Sequence, residues 1–241
     1  MKINYIYVVV LSQTIAFGFF VLGFGFSYFN WATKTLHKQY KNEGKLVIEN
    51  EDLFNSIVSG LIPLGATFGS VIISPFTKYG RRLWLLVNCV LATIAAAVTL
   101  VFNFYALIIG RLLLGGCIGG YVTVCPLFIS EVSPPSISGS LGALNQLNAV
   151  SGVLTGYCMG FLIPLENDSD ALTSKMWRVV FGTPIIITTI QIILLLIVFR
   201  YDTPLFYKSK RSNKNYNIIM NKIYTDINYD DLKNLGMNCQ I

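Results

Sequence analysis

The chain has 241 residues, of which 54% are hydrophobic and only 12% charged, and its net charge is +6. Ordinary soluble domains carry roughly 25% charged residues, so a soluble reading is excluded. The positive charge gathers at Lys78, Arg81 and Arg82 and after Arg200, beside apolar segments. That is the pattern of membrane orientation by basic flanks, not of nucleic-acid binding.

A bilayer-spanning helix needs about 20 mostly apolar residues in succession. Six blocks meet that length: residues 5–29, 53–76, 83–104, 105–128, 140–163 and 178–200. The expected fold is all-α, a polytopic membrane bundle over residues 1–200 followed by a polar tail over 201–241. The first block exceeds a signal-peptide core of about 7–15 residues and has no clear small-x-small cleavage site after it. It is expected to remain as the first helix.

That first helix is rich in Gly and Phe, with Gln13, Thr14 and Ser27 as its clearest polar side chains. Residues 31–52 mix Lys with Asp and Glu and contain the single histidine, His37; they read as a solvated loop without chemistry. The second block holds Gly65 and Gly69, spaced to let another backbone approach closely. It ends in Thr77-Lys78-Tyr79-Gly80-Arg81-Arg82, a turn short enough to make blocks two and three antiparallel neighbours. Its three cations mark the cytosolic side. Both termini then fall inside, and residues 31–52 and 164–177 outside.

Block four carries Gly115, Gly116, Gly119 and Gly120, and block five Gly152, Gly156 and Gly160, all read as close-packing faces. At 100° per residue, Asn145 and Asn148 of block five share the glycine face. Gln146, Val150, Val153 and Tyr157 fall on an adjacent face that can line a cavity. Asn167-Asp168-Ser169 is a glycosylation sequon on the expected outer side. Block six opens near Trp177-Arg178 and is expected to break briefly at Gly182-Thr183-Pro184. The tail includes an amphipathic stretch with Ile218, Ile219, Ile223 and Tyr224.

Few polar groups interrupt the apolar blocks. Arg111 either snorkels to the head groups or hydrogen-bonds across the bundle to carbonyls or a polar side chain of the first helix. Glu131 lies on the same side as Arg81 and Arg82 and is placed to pair with one of them; the alternative is a solvated loop charge. Gln146 offers two donors and an acceptor without charge, which suits a neutral polyhydroxylated ligand or, equally, a helix–helix hydrogen bond. The six blocks contain no carboxylate, and proton-coupled carriers generally need a titratable group at depth. Passive, downhill movement is favoured. No Ser/His/Asp set, metal cluster, phosphate-cradling loop or paired cysteine spacing is present, so neither enzymatic chemistry nor a cofactor is expected.

Five motifs in register resemble the N-terminal half of the sugar porters, the hexose-transporter family of the major facilitator superfamily, over residues 53–206. They are Gly80-Arg81-Arg82; Gly110-Arg111; Pro126-x4-Glu131-Val-Ser-Pro134; Gly139-x2-Gly142-x2-Asn145-Gln146-Leu147; and Asp202-Thr203-Pro204. The resemblance implies six transmembrane helices as a 3+3 inverted repeat, and alternating access between two six-helix halves. It implies a sugar-binding Gln146, with Val153 lining the same cavity and Asn145 beside it. Gly80, Arg81, Arg82, Arg111 and Glu131 take structural and gating roles by the same comparison. The chain departs from the family pattern at Ser138 and Leu205, where arginine or lysine and arginine are usual, and at Thr77 and Lys78.

The expected function is facilitative transport of a glucose-like hexose across the plasma membrane, uniport rather than proton symport. A second six-helix half or a homodimer would complete the pathway. The alternative is a non-transporting half acting as an assembly partner or sugar sensor.

Overall fold

A computed structural model describes residues 2–44, 47–163 and 175–225. The chain order is α1 (Tyr5–Ser27), α2 (Phe29–Asn42), α3 (Glu51–Ile73), a 3-10 turn (Ser74–Tyr79), α4 (Arg81–Thr99), α5 (Phe104–Val132), α6 (Ser138–Gly160), α7 (Met176–Ile197), α8 (Pro204–Ser209) and α9 (Asn213–Ile223). Among the described residues the sheet content is one two-residue antiparallel pairing of Lys2–Ile3 with Tyr224–Thr225.

Asparagine begins three of the long helices. Asn4 accepts from the Tyr7 amide, Asn50 from those of Asp52 and Leu53, and Asn103 from that of Tyr105. Each bond satisfies a first-turn N–H that has no partner within its helix. Gly80 stops the 3-10 turn at φ 139°, a conformation that favours glycine, and α4 starts at the next residue.

Among the described residues, five helices are long and apolar enough to cross a membrane: α1, α3 with its 3-10 continuation, α4, α5 and α7. The remaining expected span, the fifth block, lies in α6, which has the length at 23 residues. Its apolarity is diluted by Asn145, Gln146, Asn148 and several serines and glycines.

Three expectations need correction. The stretch read as a loop from residue 31 begins instead as helix α2. Phe29, Ala32, Leu36 and Tyr40 recur at helical spacing and are buried, so a face of this polar segment joins the core. His37 is buried with them, its Nε2 3.1 Å from the Ile48 carbonyl and its ring beside Phe54. Helix α7 runs through Gly182-Thr183-Pro184 without a break. Helix α5 extends to Val132, so Glu131, at its inner end, stands in the last helical turn.

Two parallel helix pairs form the frame. In α3/α5, a Cβ on Gly65 would overlap the Leu112 carbonyl, and one on Gly119 the Ala66 carbonyl. In α1/α6, Gly23 lies against the Ala149 carbonyl and Gly152 against that of Phe20. These close approaches leave room for hydrogen and nothing larger. Helices α1 and α5 meet antiparallel, with Gly18 against Tyr121 and Gly25 against Ile118, so the two pairs run in opposite directions. Treating α1-α3-α4 and α5-α6-α7 as two repeats, the first helix of each packs on the second helix of the other. The third helices, α4 and α7, pack on each other through Thr93 and Thr188, whose hydroxyls are 2.8 Å apart. This is a 3+3 inverted repeat.

Candidate functional site

Helix α6 sorts its polar residues by angle. Asn145, Ala149, Gly152 and Gly156 form the stripe buried against α1. Gln146, Val150 and Tyr157 are exposed and Val153 is half-buried on the neighbouring stripe, so Gln146 offers its whole amide. Asn145, which the family resemblance sets beside Gln146 in a ligand site, stands on the packed stripe that its helical angle gives, and its Oδ1 has no hydrogen-bond partner. Asn148 lies about 160° around the helix from Gln146. It exchanges two hydrogen bonds with Gln13 of α1, at 3.1 and 3.2 Å, and donates a third to the Leu144 carbonyl at 2.8 Å. The α6 amides thus serve different faces: Asn148 joins helices, Gln146 is open.

Another buried amide, Gln191 of α7, was not singled out by motif or charge. It is fully buried and donates to the carbonyls of Thr14 and Ile15, at 3.0 and 3.3 Å. Its Oε1 accepts from the Cys89 thiol at 3.3 Å, so one side chain joins α7, α1 and α4. A glutamine alone among Ile and Leu in an apolar helix was the available signal, because its uncompensated burial in a lipid-covered bundle is costly.

Arg111 is 1% exposed, which excludes snorkelling to the head groups. Its Nε donates to the Val58 carbonyl of α3 at 3.0 Å. The guanidinium carbon lies 4.2 Å from the Phe29 ring centroid and 5.2 Å from that of Tyr28. The ring faces attract the cation, and the residue ties α5 to α3 and to the α1–α2 junction. Nη1 has no hydrogen-bond partner.

At the other end of the bundle the charged residues converge. Glu131 Oε1 accepts from Arg81 Nε at 3.1 Å and from Nη2 at 2.7 Å, while Oε2 accepts from the Thr203 hydroxyl. Arg82 turns the other way, donating to the carbonyls of Leu195 and Phe199, both at 2.8 Å. Helix α4 therefore holds α5 through one arginine and α7 through the next. Thr203 also caps α8, accepting from the Phe206 amide. Asp202 receives the backbone amides of Arg82 and Thr203, at 3.2 and 2.8 Å. Burial raises its carboxyl above the usual range, against the opposing pull of these amides and of Arg81. A Cβ on Gly80 would approach Asp202 Oδ2 to 3.0 Å, so the glycine of this motif leaves space for the carboxylate. Ser138, at the start of α6, and the exposed Leu205 stay outside these contacts. The Asn167 sequon lies outside the described residues.

Among the described residues no group of three His, Cys, Asp or Glu side chains could hold a metal ion. The arrangement instead offers a neutral amide on an open helical face and a hydrogen-bonded charged clamp at one end.

The profile of the family described as "Sugar (and other) transporter" matches residues 11–230. Hexose transporter 1 of Plasmodium falciparum (isolate 3D7) is 27% identical over 235 residues, covering 92% of this chain and 46% of that protein. Monosaccharide-sensing protein 2 of Arabidopsis thaliana is 32% identical over 162 residues, covering 65% of this chain and 21% of that protein. The chain thus spans less than half the length of these relatives. Among solved structures, the major facilitator superfamily proton:xylose symporter XylE bound to 6-bromo-6-deoxy-D-glucose superimposes with a TM-score of 0.79 at 20% identity, covering 91% of this chain and 50% of that one. A partially occluded inward-open form of XylE from E. coli gives 0.77 at 20% identity over 90% of this chain and 55% of that one. The fold is that of a major facilitator superfamily half, and the chain belongs to the Sugar (and other) transporter family, a family of transporters rather than of enzymes.

Proposed function

We propose that these residues form one half of a facilitative hexose transporter working by alternating access. The observation that carries this reading is the open amide of Gln146 on a helix whose other amides are buried. A glutamine both donates and accepts, as sugar hydroxyls do, and needs no charge. Val153 and Tyr157 extend the same stripe and supply apolar wall. A sugar is enclosed by converging polar groups, so a second six-helix unit, or a second copy of this chain, faces the stripe in the working transporter.

The spans, taken as six helices over residues 1–200, hold the sugar pathway. The charged end, with residues 201–241, lies in the cytosol with both termini, and the membrane is the plasma membrane. Gly80, Arg81, Arg82 and Glu131 hold that end of the half together as a unit that moves against its partner, and Arg111 fixes the opposite end. Uniport is favoured over proton symport because Glu131, the carboxylate of α5, stands in its last turn and is committed to Arg81 and Thr203, leaving no free acid at depth among the described residues. The competing reading, a non-transporting half that senses sugar or assists assembly, keeps the Gln146 site and drops the pathway.

Labelled glucose uptake into proteoliposomes tests the proposal, comparing the wild-type chain and Gln146→Ala with uptake-free binding measured in parallel. Saturable uptake lost in the variant supports transport. Saturable binding without uptake supports the sensing half. Neither binding nor uptake, by the chain alone or with a complementary six-helix unit, refutes a sugar site.

A further inference from the structure

After α7 the chain from Arg200 to Lys222 carries six cations and one acid, Asp202. That acid is buried and committed to the backbone of the α4 turn. Lys222 is occupied by the rings of Tyr201 and Tyr7. Arg200, Lys208, Lys210, Arg211 and Lys214 remain exposed, Lys210 with its ammonium 4.8 Å from the Phe206 ring centroid, and none has a carboxylate at ion-pair distance among the described residues. The exposed charge of this elbow is uniformly positive.

Two details go beyond what orientation by basic flanks requires. Arg211 sits at the joint between α8 and α9 with φ 54°, a left-handed conformation usually taken by glycine. The Arg211 amide bonds to the Lys208 carbonyl at 3.1 Å and the Ser212 amide to that of Tyr207 at 3.0 Å, which locks the bend. Lys214 lies in the first turn of α9, where the helix dipole disfavours a cation. The bend therefore gathers like charges where backbone and dipole both oppose them. Helix α9 cannot act as a membrane-inserting helix, because its apolar residues Tyr216, Ile219, Met220 and Ile223 are already buried. The Ile223 carbonyl is also tied to the Asn4 amide at 2.8 Å, holding the elbow against the end of α1.

We propose that the exposed cations of the α8–α9 elbow bind the headgroups of anionic phospholipids in the adjacent leaflet. Clusters of Lys and Arg immediately following a transmembrane helix are attracted by such lipids. Binding here is electrostatic docking on a rigid elbow, without insertion. The inference rests on the chain's place in a membrane and not on which solute it carries.

The test compares the full chain with a Lys208→Gln/Lys210→Gln/Arg211→Gln/Lys214→Gln variant in nanodiscs of phosphatidylcholine with and without phosphatidylserine. Lipid retained after detergent extraction is measured by native mass spectrometry, and melting is followed in parallel. The wild type is expected to enrich phosphatidylserine several-fold over its bulk share, to melt higher in its presence, and to lose both effects at high salt. The variant should show no enrichment while melting like the wild type in phosphatidylcholine alone. Equal wild-type behaviour in both lipids overturns the proposal, as does undiminished enrichment by the variant. Displacement of the lipid by inorganic phosphate at equal concentration would also overturn it, identifying a soluble anion as the ligand. If the variant does not fold, the wild-type salt and phosphate measurements still decide.

Discussion

The two glycine-lined seams, α1/α6 and α3/α5, are the same packing device run in opposite directions, yet they differ in chemistry. The α3/α5 contact brings Gly65, Gly69, Gly115 and Gly119 onto facing backbone, with Arg111 fastening one end. The α1/α6 contact adds amides: Gln13 and Asn148 bonded across it, the unpartnered Asn145 within it, and the open Gln146 beside it. Along its glycine stripe the α3/α5 seam rests on backbone contact, with its polar anchor, Arg111, confined to one end. The polar residues of α1/α6 therefore need separate explanations, and only the open one is suited to a ligand.

The largest expected effect tests whether both seams are equally intolerant. Gly119→Val and Gly152→Val each place a side chain onto a facing carbonyl, and each should cost about 3 kcal/mol or more because the backbones must separate. Unfolding in mild detergent, followed by denaturant titration, measures it. If Gly152→Val were tolerated, α1/α6 would be a looser interface than its geometry indicates. Next, Arg111→Ala removes a large buried side chain from the end of α3/α5 and should cost about 3 kcal/mol in the same titration. A negligible loss would mean that the aromatic rings close over the gap.

A smaller effect separates glue from ligand contact in α1/α6. A Gln13→Leu/Asn148→Leu double-mutant cycle should give a coupling of about 1 kcal/mol, since interhelical hydrogen bonds in membranes contribute roughly that much or less. A coupling near zero would remove the pair's claim to a structural role. The smallest change in stability is expected for Gln146→Ala, within about 0.5 kcal/mol, because an exposed residue away from the seam has little to lose. Its effect should appear instead in sugar-dependent protection against unfolding, present in the wild type and absent in the variant. Destabilisation comparable with that of a seam glycine would assign Gln146 to packing.

Sequence and structure contribute differently to the site. The Gln146 stripe was legible because helical angle alone separates it from the glycine stripe. The same angle puts Asn145 on the glycine stripe, while the helix that covers that stripe, α1, was left to the tertiary structure. Glu131 could be assigned to an arginine but not to one of the two. Arg81 takes it because Arg82, one residue further around α4, faces the end of α7 and its free carbonyls. Gln191 escaped notice because its partners are backbone carbonyls of α1, about 176 residues away, and carbonyls leave no trace in residue type. Helix α2 was misread for a related reason. Its composition is that of a loop, and only the aromatic wall supplied by Phe54, Phe102 and Tyr28 makes its apolar face worth burying.

The amino-acid sequence by itself determined the class of the protein, the long apolar segments and the small-residue faces, since lipid demands long apolar helices with internally satisfied backbones. It determined the family as well, through motifs that recur in register. Tertiary structure alone decided which glycine meets which backbone, which arginine holds Glu131, and which carbonyls receive Arg82 and Gln191. Those outcomes depend on contacts between segments far apart in the chain, where rotation of a helix by one residue exchanges a packed side chain for an exposed one.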